Sequence, residues 1–380
     1  MQYRTLGKTG VKVSEIGIGG EYLEFEDRET VANVMSAAMD LGVNLLDVFM
    51  SEPNIRTNLG LAIKGRRDKI HIQGHICSIY ENGQYGRSRD LEVCKVHLDD
   101  LFRRLDTDYI DFGMVHCMDG DDEWDKVQQS GILEYMQALK KQGRFLNLGF
   151  SSHDARTALK MLQTGIFDMM LFSINPMFDH VYDSDFDLQY FMAEPDVIAE
   201  SEFNLNPART ELYGYCNEHD IGITVMKPFG AGRLLKAETS PFKVAMTVPQ
   251  CIHYVLSRPA VASAIVGARS VEEIRQAVAY YDATEAEKDY SGIYGNIASV
   301  SAGQCMYCNH CLPCPQNINI AEVTRLMDEA REEGKTDQAR YAEQTGKASD
   351  CISCGQCESR CPFGVKIIDN MAKARQIFEG

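Results

Sequence analysis

Residues 69–116 read KIHIQGHICSIYENGQYGRSRDLEVCKVHLDDLFRRLDTDYIDFGMVH. The first seven residues and the last eight are apolar, strand-like runs. Between them Leu91, Val93, Cys94, Leu98, Leu101, Phe102 and Leu105 trace one face of a helix over residues 90–105. Strand, amphipathic helix and strand form the unit of a parallel sheet with crossover helices. The alternation extends in both directions. After a short hairpin at 2–14, strand-like runs recur at 16–19, 44–47, 69–75, 109–116, 146–150, 168–172, 221–226 and 262–266. Amphipathic stretches such as 30–41 and 271–281 separate them. Eight such units in about 285 residues predict an α/β fold, a (β/α)8 barrel. A doubly wound open sheet is the alternative, but Gly17, Gly19 and Gly20 lack the Gly-x-Gly-x-x-Gly spacing expected after its first strand.

The barrel leaves a C-terminal remainder, so the chain divides into residues 1–290 and 291–380. Eight of the thirteen cysteines fall in that second part, in two runs that each end in Cys-Pro. The first is Cys305, Cys308, Cys311 and Cys314 before Pro315; the second is Cys351, Cys354, Cys357 and Cys361 before Pro362. The second run matches the bacterial ferredoxin ligand spacing, and the first is one residue shorter before its last cysteine. In two-cluster ferredoxins the fourth cysteine of each run ligates the other cluster. The expected ligand sets are therefore Cys305, Cys308, Cys311 and Cys361 for one [4Fe-4S] cluster, and Cys351, Cys354, Cys357 and Cys314 for the second, in a helical ferredoxin-like domain. Structural zinc needs neither a third cysteine at the same interval nor the proline. Disulfides need an oxidising compartment, whereas duplicated clusters imply a reducing or anaerobic cytoplasm. Cys77, Cys94, Cys117, Cys216 and Cys251 lie scattered in apolar surroundings and read as ordinary buried thiols.

The 38 basic and 55 acidic side chains leave a net charge of −17, which disfavours nucleic acid and anionic membrane surfaces as partners. From residue 301 onward 11 acidic and 9 basic residues leave only −2, so the acidity belongs to the barrel. The opening MQYRTLGKTG has no signal-peptide core, and no run of about 18 apolar residues is available to span a membrane. A cytoplasmic location follows. Some thirty residues between Phe172 and Pro207 form an outsized loop, expected to rise from the C-terminal face of the barrel, with Tyr182, Phe186, Tyr190 and Phe191 packing it as a lid. Residues 327–350, between the two cysteine runs, read as a polar, solvent-facing helical insertion. Trp124 is expected in a loop reaching the barrel mouth.

MQYRTLGKTGVKVSEIGIGG (1–20) resembles the opening of the aldo-keto reductases, and LGVNLLDVF, LDTDYIDFGMVHC, FLNLGFSSH, MKPFGAG and IVGARSVEEI follow in that family's order. The cysteine-rich tail is similar to that of a bacterial iron-sulfur branch of the same family. The resemblance implies a (β/α)8 barrel that binds NADP(H) without a Rossmann fold and reduces carbonyls by hydride transfer. It also implies a catalytic Asp, Tyr, Lys and His. Asp47 and His116 match the aspartate and histidine, but Glu52 stands at the tyrosine's place and His75 at the lysine's. The nicotinamide contacts fall on Ser152 and Leu171, while Lys227, Gly267, Arg269 and Ser270 occupy family-like positions for the cofactor's phosphates.

Read as residues, Asp47, Glu52, His75 and His116 come from the ends of neighbouring strands and face a common mouth. An imidazole beside a carboxylate is a usable general acid near neutral pH. On this reading His75 donates the proton, Asp47 holds it, His116 orients the substrate oxygen and Glu52 is the rival donor. Two histidines with carboxylates also suit Fe(II) or Zn, and His153 either lines the same mouth or caps the next helix. The function expected is an iron-sulfur oxidoreductase whose clusters exchange single electrons with a small-molecule substrate in the barrel, served by a partner such as ferredoxin or flavodoxin. The alternatives are an NADPH-dependent carbonyl reductase, a non-enzymatic electron-transfer protein, and a metal-assisted non-redox enzyme.

Overall fold

A computed structural model describes residues 1–24, 26–180, 206–294, 303, 305, 311–334, 336–361 and 364–380. The chain begins with an antiparallel hairpin, β1 (Tyr3–Thr5) and β2 (Lys12–Ser14). Eight parallel strands then close into a barrel: β3 (Ile16–Gly19), β4 (Leu45–Val48), β5 (His71–Ile76), β8 (Ile110–Val115), β9 (Phe145–Ser152), β10 (Met169–Ser173), β11 (Gly222–Met226) and β12 (Val261–Gly267), which pairs back onto β3. Every one of the eight apolar runs in the sequence is a barrel strand. Two further strands, β6 (Ser78–Glu81) and β7 (Gln84–Arg87), form a hairpin between β5 and the helix Leu91–Leu105.

The strands are buried along most of their length, because both faces are covered, one by the outer helices and one by the barrel interior. The helix Leu91–Leu105 shows how the sequence builds that outer layer. Asp90 caps it by accepting from the backbone N–H groups of Glu92 and Val93, and Asp106, in a left-handed conformation, ends it. Cys94, Leu98, Leu101, Phe102 and Leu105 are buried under it, and a buried side chain of the Leu or Phe kind contributes about 1.5–3 kcal/mol relative to exposure. The N-terminal hairpin stops the bottom of the barrel. Leu6 and Val13 share an interior cluster with Leu45, Phe112, Met114, Met169 and Leu171. A side chain at Gly222, the first residue of β11, would collide with Leu6 at 2.5 Å, so the hairpin seats only on a bare backbone there. The bottom is sealed and the C-terminal ends of the strands are left to carry chemistry.

Beyond the barrel, the helix Ile320–Glu333 packs on the C-terminal helix Ile367–Phe378. Val323, Leu326, Met327, Met371 and Ala374 are buried there, and Tyr341 stacks on Phe378 with ring centroids 4.3 Å apart. The segment between the cysteine runs therefore differs from the solvent-facing insertion expected: its helix starts earlier and buries an apolar face. Trp124 differs as well. It lies in the helix Asp121–Gln129, 2% exposed and 6.3 Å from the Phe167 ring, not in a loop at the mouth. The aromatic lid, Tyr182, Phe186, Tyr190 and Phe191, lies outside the described residues. Among the described residues no helix is long and apolar enough to cross a membrane.

Candidate active site

Asp47 is the penultimate residue of β4, His75 that of β5, and His116 follows β8 by one residue, so adjacent strands of the barrel deliver all three to the same end. They form one continuous chain. His75 Nε2 lies 2.9 Å from Asp47 Oδ1, His75 Nδ1 lies 3.1 Å from His116 Nδ1, and Tyr85 Oη lies 2.6 Å from His116 Nε2. Gln73 donates to the same Asp47 oxygen at 2.8 Å. Phe49 stacks on His116 at 5.2 Å and meets the edges of His75 and Tyr85.

A single ionised carboxylate fixes every proton in this chain. Asp47 accepts, so His75 carries its proton on Nε2 and its Nδ1 is an acceptor. His116 must then donate from Nδ1, leaving its Nε2 to accept from the Tyr85 hydroxyl. Burial first, together with the Arg89 and Arg87 charges, holds His116 well below the ordinary histidine range, so it stays neutral. Exposure decides which member meets a substrate. Asp47, His75 and His116 are 4%, 1% and 7% exposed, and Tyr85 is 45% exposed with its hydroxyl turned inward. His75, with both ring nitrogens engaged, is an interior link, and Tyr85 is the terminus at the mouth. The sequence reading missed Tyr85, although a signal was present. Asn82-Gly83, between SIYE and QYGR, is a strong two-residue hairpin turn signal, and both residues adopt positive φ, 53° and 76°.

A second chain crosses the same mouth. Arg87, two residues after Tyr85, donates to Cys117 Sγ at 2.9 Å; Cys117 donates to Asp119 Oδ2 at 3.0 Å. Asp119 binds His153 twice, through Nδ1 at 2.9 Å and the backbone N–H at 2.7 Å, and Lys227 Nζ lies 2.8 Å from His153 Nε2. Cys117 and Lys227 both have left-handed backbones, φ 55° and 57°, a conformation that costs a non-glycine residue about 1–3 kcal/mol. Burial, then Asp119, pushes the Cys117 thiol up to about 12. Burial opposes the charge on Lys227 and lowers it, against the pull of Glu21, Asp119, Cys117 and Asp47. Burial likewise raises the Glu21 carboxyl, with Lys227 opposing. The ligand atoms of Cys117, Asp119 and His153 lie within 4.8 Å of one another. They suit a metal cation poorly, because the Arg87 guanidinium and the Lys227 amine sit on two of the three.

The remaining sequence-selected residues are engaged elsewhere. Glu52 caps the helix Pro53–Ala62, its carboxylate accepting from the Ile55 N–H at 2.7 Å. Ser152 donates to the Met118 carbonyl and accepts from the Asp154 N–H. Leu171 is 2% exposed among apolar side chains and has no polar atom for a carboxamide. The Tyr22 ring covers Gly267, the Arg269 guanidinium lies 5.3 Å above that ring, and Ser270 caps the helix Val271–Val278 by accepting from Glu273 N–H. The Glu273 carboxylate accepts from the Arg269 backbone N–H at 2.6 Å. On the nicotinamide side, Leu171 and the committed Ser152 offer a carboxamide no free polar group.

In the second part of the chain the donor set does fit iron-sulfur clusters. Cys314, Cys351, Cys354 and Cys357 line one cavity together with Ile318, Ile320, Ile367 and Met371. That brings the last cysteine of the first run to the first three of the second. Cys305, Cys311 and Cys361 are described and Cys308 is outside the described residues. Arg360 ties the two runs together by donating to the carbonyls of Cys311 and Pro313, both at 2.7 Å.

Two family models match the chain: the aldo/keto reductase family over residues 15–185 and a 4Fe-4S dicluster domain over residues 304–366. One segment of the chain thus matches the aldo/keto reductase family and a second, separate segment matches a 4Fe-4S dicluster domain. The aldo-keto reductase YhdN of Bacillus subtilis is 29% identical over 164 residues, 40% of this chain and 47% of that protein. The uncharacterized oxidoreductase YqkF of the same organism is 24% identical over 295 residues, 73% of this chain and 90% of that one. Among solved structures, an aldo-keto reductase from Bacillus halodurans in its holo form aligns with a TM-score of 0.59 at 22% identity, covering 77% of this chain and 95% of that one. The last likeness concerns the fold. The domain content and the named relatives support an oxidoreductase.

Proposed function

We propose that the protein is an iron-sulfur oxidoreductase that handles a small-molecule substrate at the barrel mouth and moves its proton through Tyr85, His116, His75 and Asp47. The observation that carries this reading is the unbroken chain of hydrogen bonds from a half-exposed phenol to a buried carboxylate. In the direction of oxidation, Tyr85 Oη takes the proton of a substrate hydroxyl and its own proton passes to His116 Nε2. The His116 Nδ1 proton moves to His75 Nδ1, and the His75 Nε2 proton moves to Asp47 Oδ1. Reduction of a carbonyl takes two electrons and two protons: once Asp47 has taken a proton from solvent each shift reverses and delivers one proton to the substrate oxygen, and the second proton, at carbon, comes from solvent. Tyr85 thus takes the terminal role at the substrate, and His75 relays. Glu52 has no part, because its carboxylate is committed to a helix end.

Cys305, Cys308, Cys311 and Cys361 would hold one [4Fe-4S] cluster, and Cys314, Cys351, Cys354 and Cys357 the other. When bound, the clusters supply or accept single electrons, which suits a ferredoxin- or flavodoxin-like partner. Nicotinamide has no place in this reading, given Leu171 and the commitments of Ser152.

The test uses anaerobically prepared protein with reduced methyl viologen as electron donor and a panel of small carbonyl compounds. Loss of a positioned proton donor typically costs on the order of 10²–10⁴ in rate. Tyr85→Phe is expected to lower viologen-linked turnover by that factor while cluster absorption stays unchanged. NADPH-driven turnover that persists in a chain lacking the cluster cysteines would sink the reading.

A further inference from the structure

We propose that Lys227 is a nucleophile that captures carbonyl compounds as a Schiff base, with His153 as its base and Asp119 as the group that orients His153. The arrangement has the logic of a nucleophile held by a base that is in turn held by a third group. Lys227 Nζ is 2.8 Å from His153 Nε2, and His153 Nδ1 is 2.9 Å from Asp119 Oδ2. The second Asp119 oxygen accepts the His153 backbone N–H at 2.7 Å, which locks the carboxylate to the strand end it serves.

A lysine kept for structure ordinarily finds a carboxylate. Lys227 has none within ion-pair distance among the described residues, although Glu21, Asp47 and Asp119 all lie within electrostatic reach. Its amine is instead given to an imidazole. The backbone is shaped to put it there: the left-handed conformation at Lys227, braced by Asn175 Nδ2 and the Gly230 N–H on its carbonyl, turns the side chain in toward His153. Burial favours the uncharged amine, the form that attacks carbonyls. The side chain is only partly buried, so it remains within reach of a compound entering the mouth.

The chemistry closes without a co-reactant. The Lys227 ammonium gives a proton to His153 Nε2, and Asp119 stabilises the resulting imidazolium. The freed lone pair forms the C–N bond while the carbonyl π pair moves to oxygen, which takes the proton back from His153. His153 then removes a second proton from the nitrogen and returns it to the departing hydroxyl. One ammonium and one carbonyl become one iminium and one water, with no change in oxidation state. Neither the clusters nor the Tyr85 chain takes part, so failure of this proposal leaves the redox reading untouched.

Reductive trapping tests it on the intact, anaerobically prepared protein. Incubation with pyruvate or propanal and sodium cyanoborohydride near pH 7, followed by peptide mapping, should place the label on the peptide containing Lys227. Lys64, 69% exposed, is the internal control and should label far more slowly. His153→Gln should slow trapping at Lys227 by on the order of 10²–10⁴ and move its onset to higher pH, toward that of Lys64. Asp119→Asn should act in the same direction, because an amide cannot stabilise the imidazolium. Unfolding would also bring Lys227 to the Lys64 rate, so the emission of Trp124, buried against Phe167 in the folded barrel, must match that of the native protein before a variant's trapping rate counts. Labelling of Lys227 no faster than Lys64 in the native protein overturns the proposal, as does unchanged labelling in His153→Gln.

Discussion

His116 and His153 are buried and neutral: burial is the main cause that disfavours their protonation, reinforced at His116 by Arg89 and Arg87, while at His153 Asp119 opposes it and Lys227 adds to it. The unfolded chain binds those protons near the ordinary histidine value of about 6.5. The folded chain binds them only at lower pH. Folding stability is therefore complete above about pH 6.5 and declines as the pH falls below it, because the unfolded state then holds more protons. Trp124, buried against Phe167, is a suitable reporter of barrel unfolding. Its urea midpoint should fall between pH 7.5 and 5.5, and His116→Gln should flatten the decline; a midpoint that rises toward acid would contradict the assignment. At this scale Asp47, His75 and His116 were legible in the sequence, since polar residues ending apolar strands point to the barrel mouth. Tyr85, Asp119 and the inward turn of Lys227 were not. Their placement depends on a hairpin, a short loop and a left-handed backbone that strand periodicity does not encode. Glu52 misleads for the same reason: counting along the chain puts it at the family's tyrosine, while its local role is to cap a helix.

Among elements, the β6–β7 hairpin matters most to the site, since it carries both Tyr85 and Arg87. Its turn rests on Asn82 and Gly83, and Gly83 has open space around its missing Cβ, so only its φ of 76° constrains the residue. Gly83→Val should destabilise the hairpin by about 1–2 kcal/mol through the left-handed conformation alone. The expected result is faster amide exchange over residues 78–87 and lower turnover, with the barrel melting transition little changed. Equal loss of protection throughout the barrel would mean that the hairpin is part of the core. The eight barrel strands could be read almost to the residue because doubly covered strands are continuous apolar runs. The hairpin escaped because its residues, half exposed and rich in polar and glycine positions, show no such run. Residues 327–350 read as solvent-facing because charged and polar side chains dominate their composition, and most are exposed, while Met327, Tyr341 and Ala348 are buried.

For the whole molecule, the cavity shared by Cys314 with Cys351, Cys354 and Cys357 ties together points of the chain far apart in sequence. Two clusters with four thiolates each predict about eight iron and eight sulfide per chain. Cys314→Ala should damage the cluster of the second run, and Cys361→Ala that of the first. Iron analysis and electron paramagnetic resonance of each variant check this, and damage confined to a variant's own run would refute the crossed arrangement. One feature of the barrel mouth bears on how such a chain evolves. Cys117 and Lys227 occupy left-handed positions that glycine would fill with less strain, and each places a polar side chain in the mouth. Selection acting on thermal robustness alone would drift both sites toward glycine. At these two points the mouth holds a thiol and an amine in a backbone that glycine would adopt at less cost, and the rest of the barrel must supply that margin.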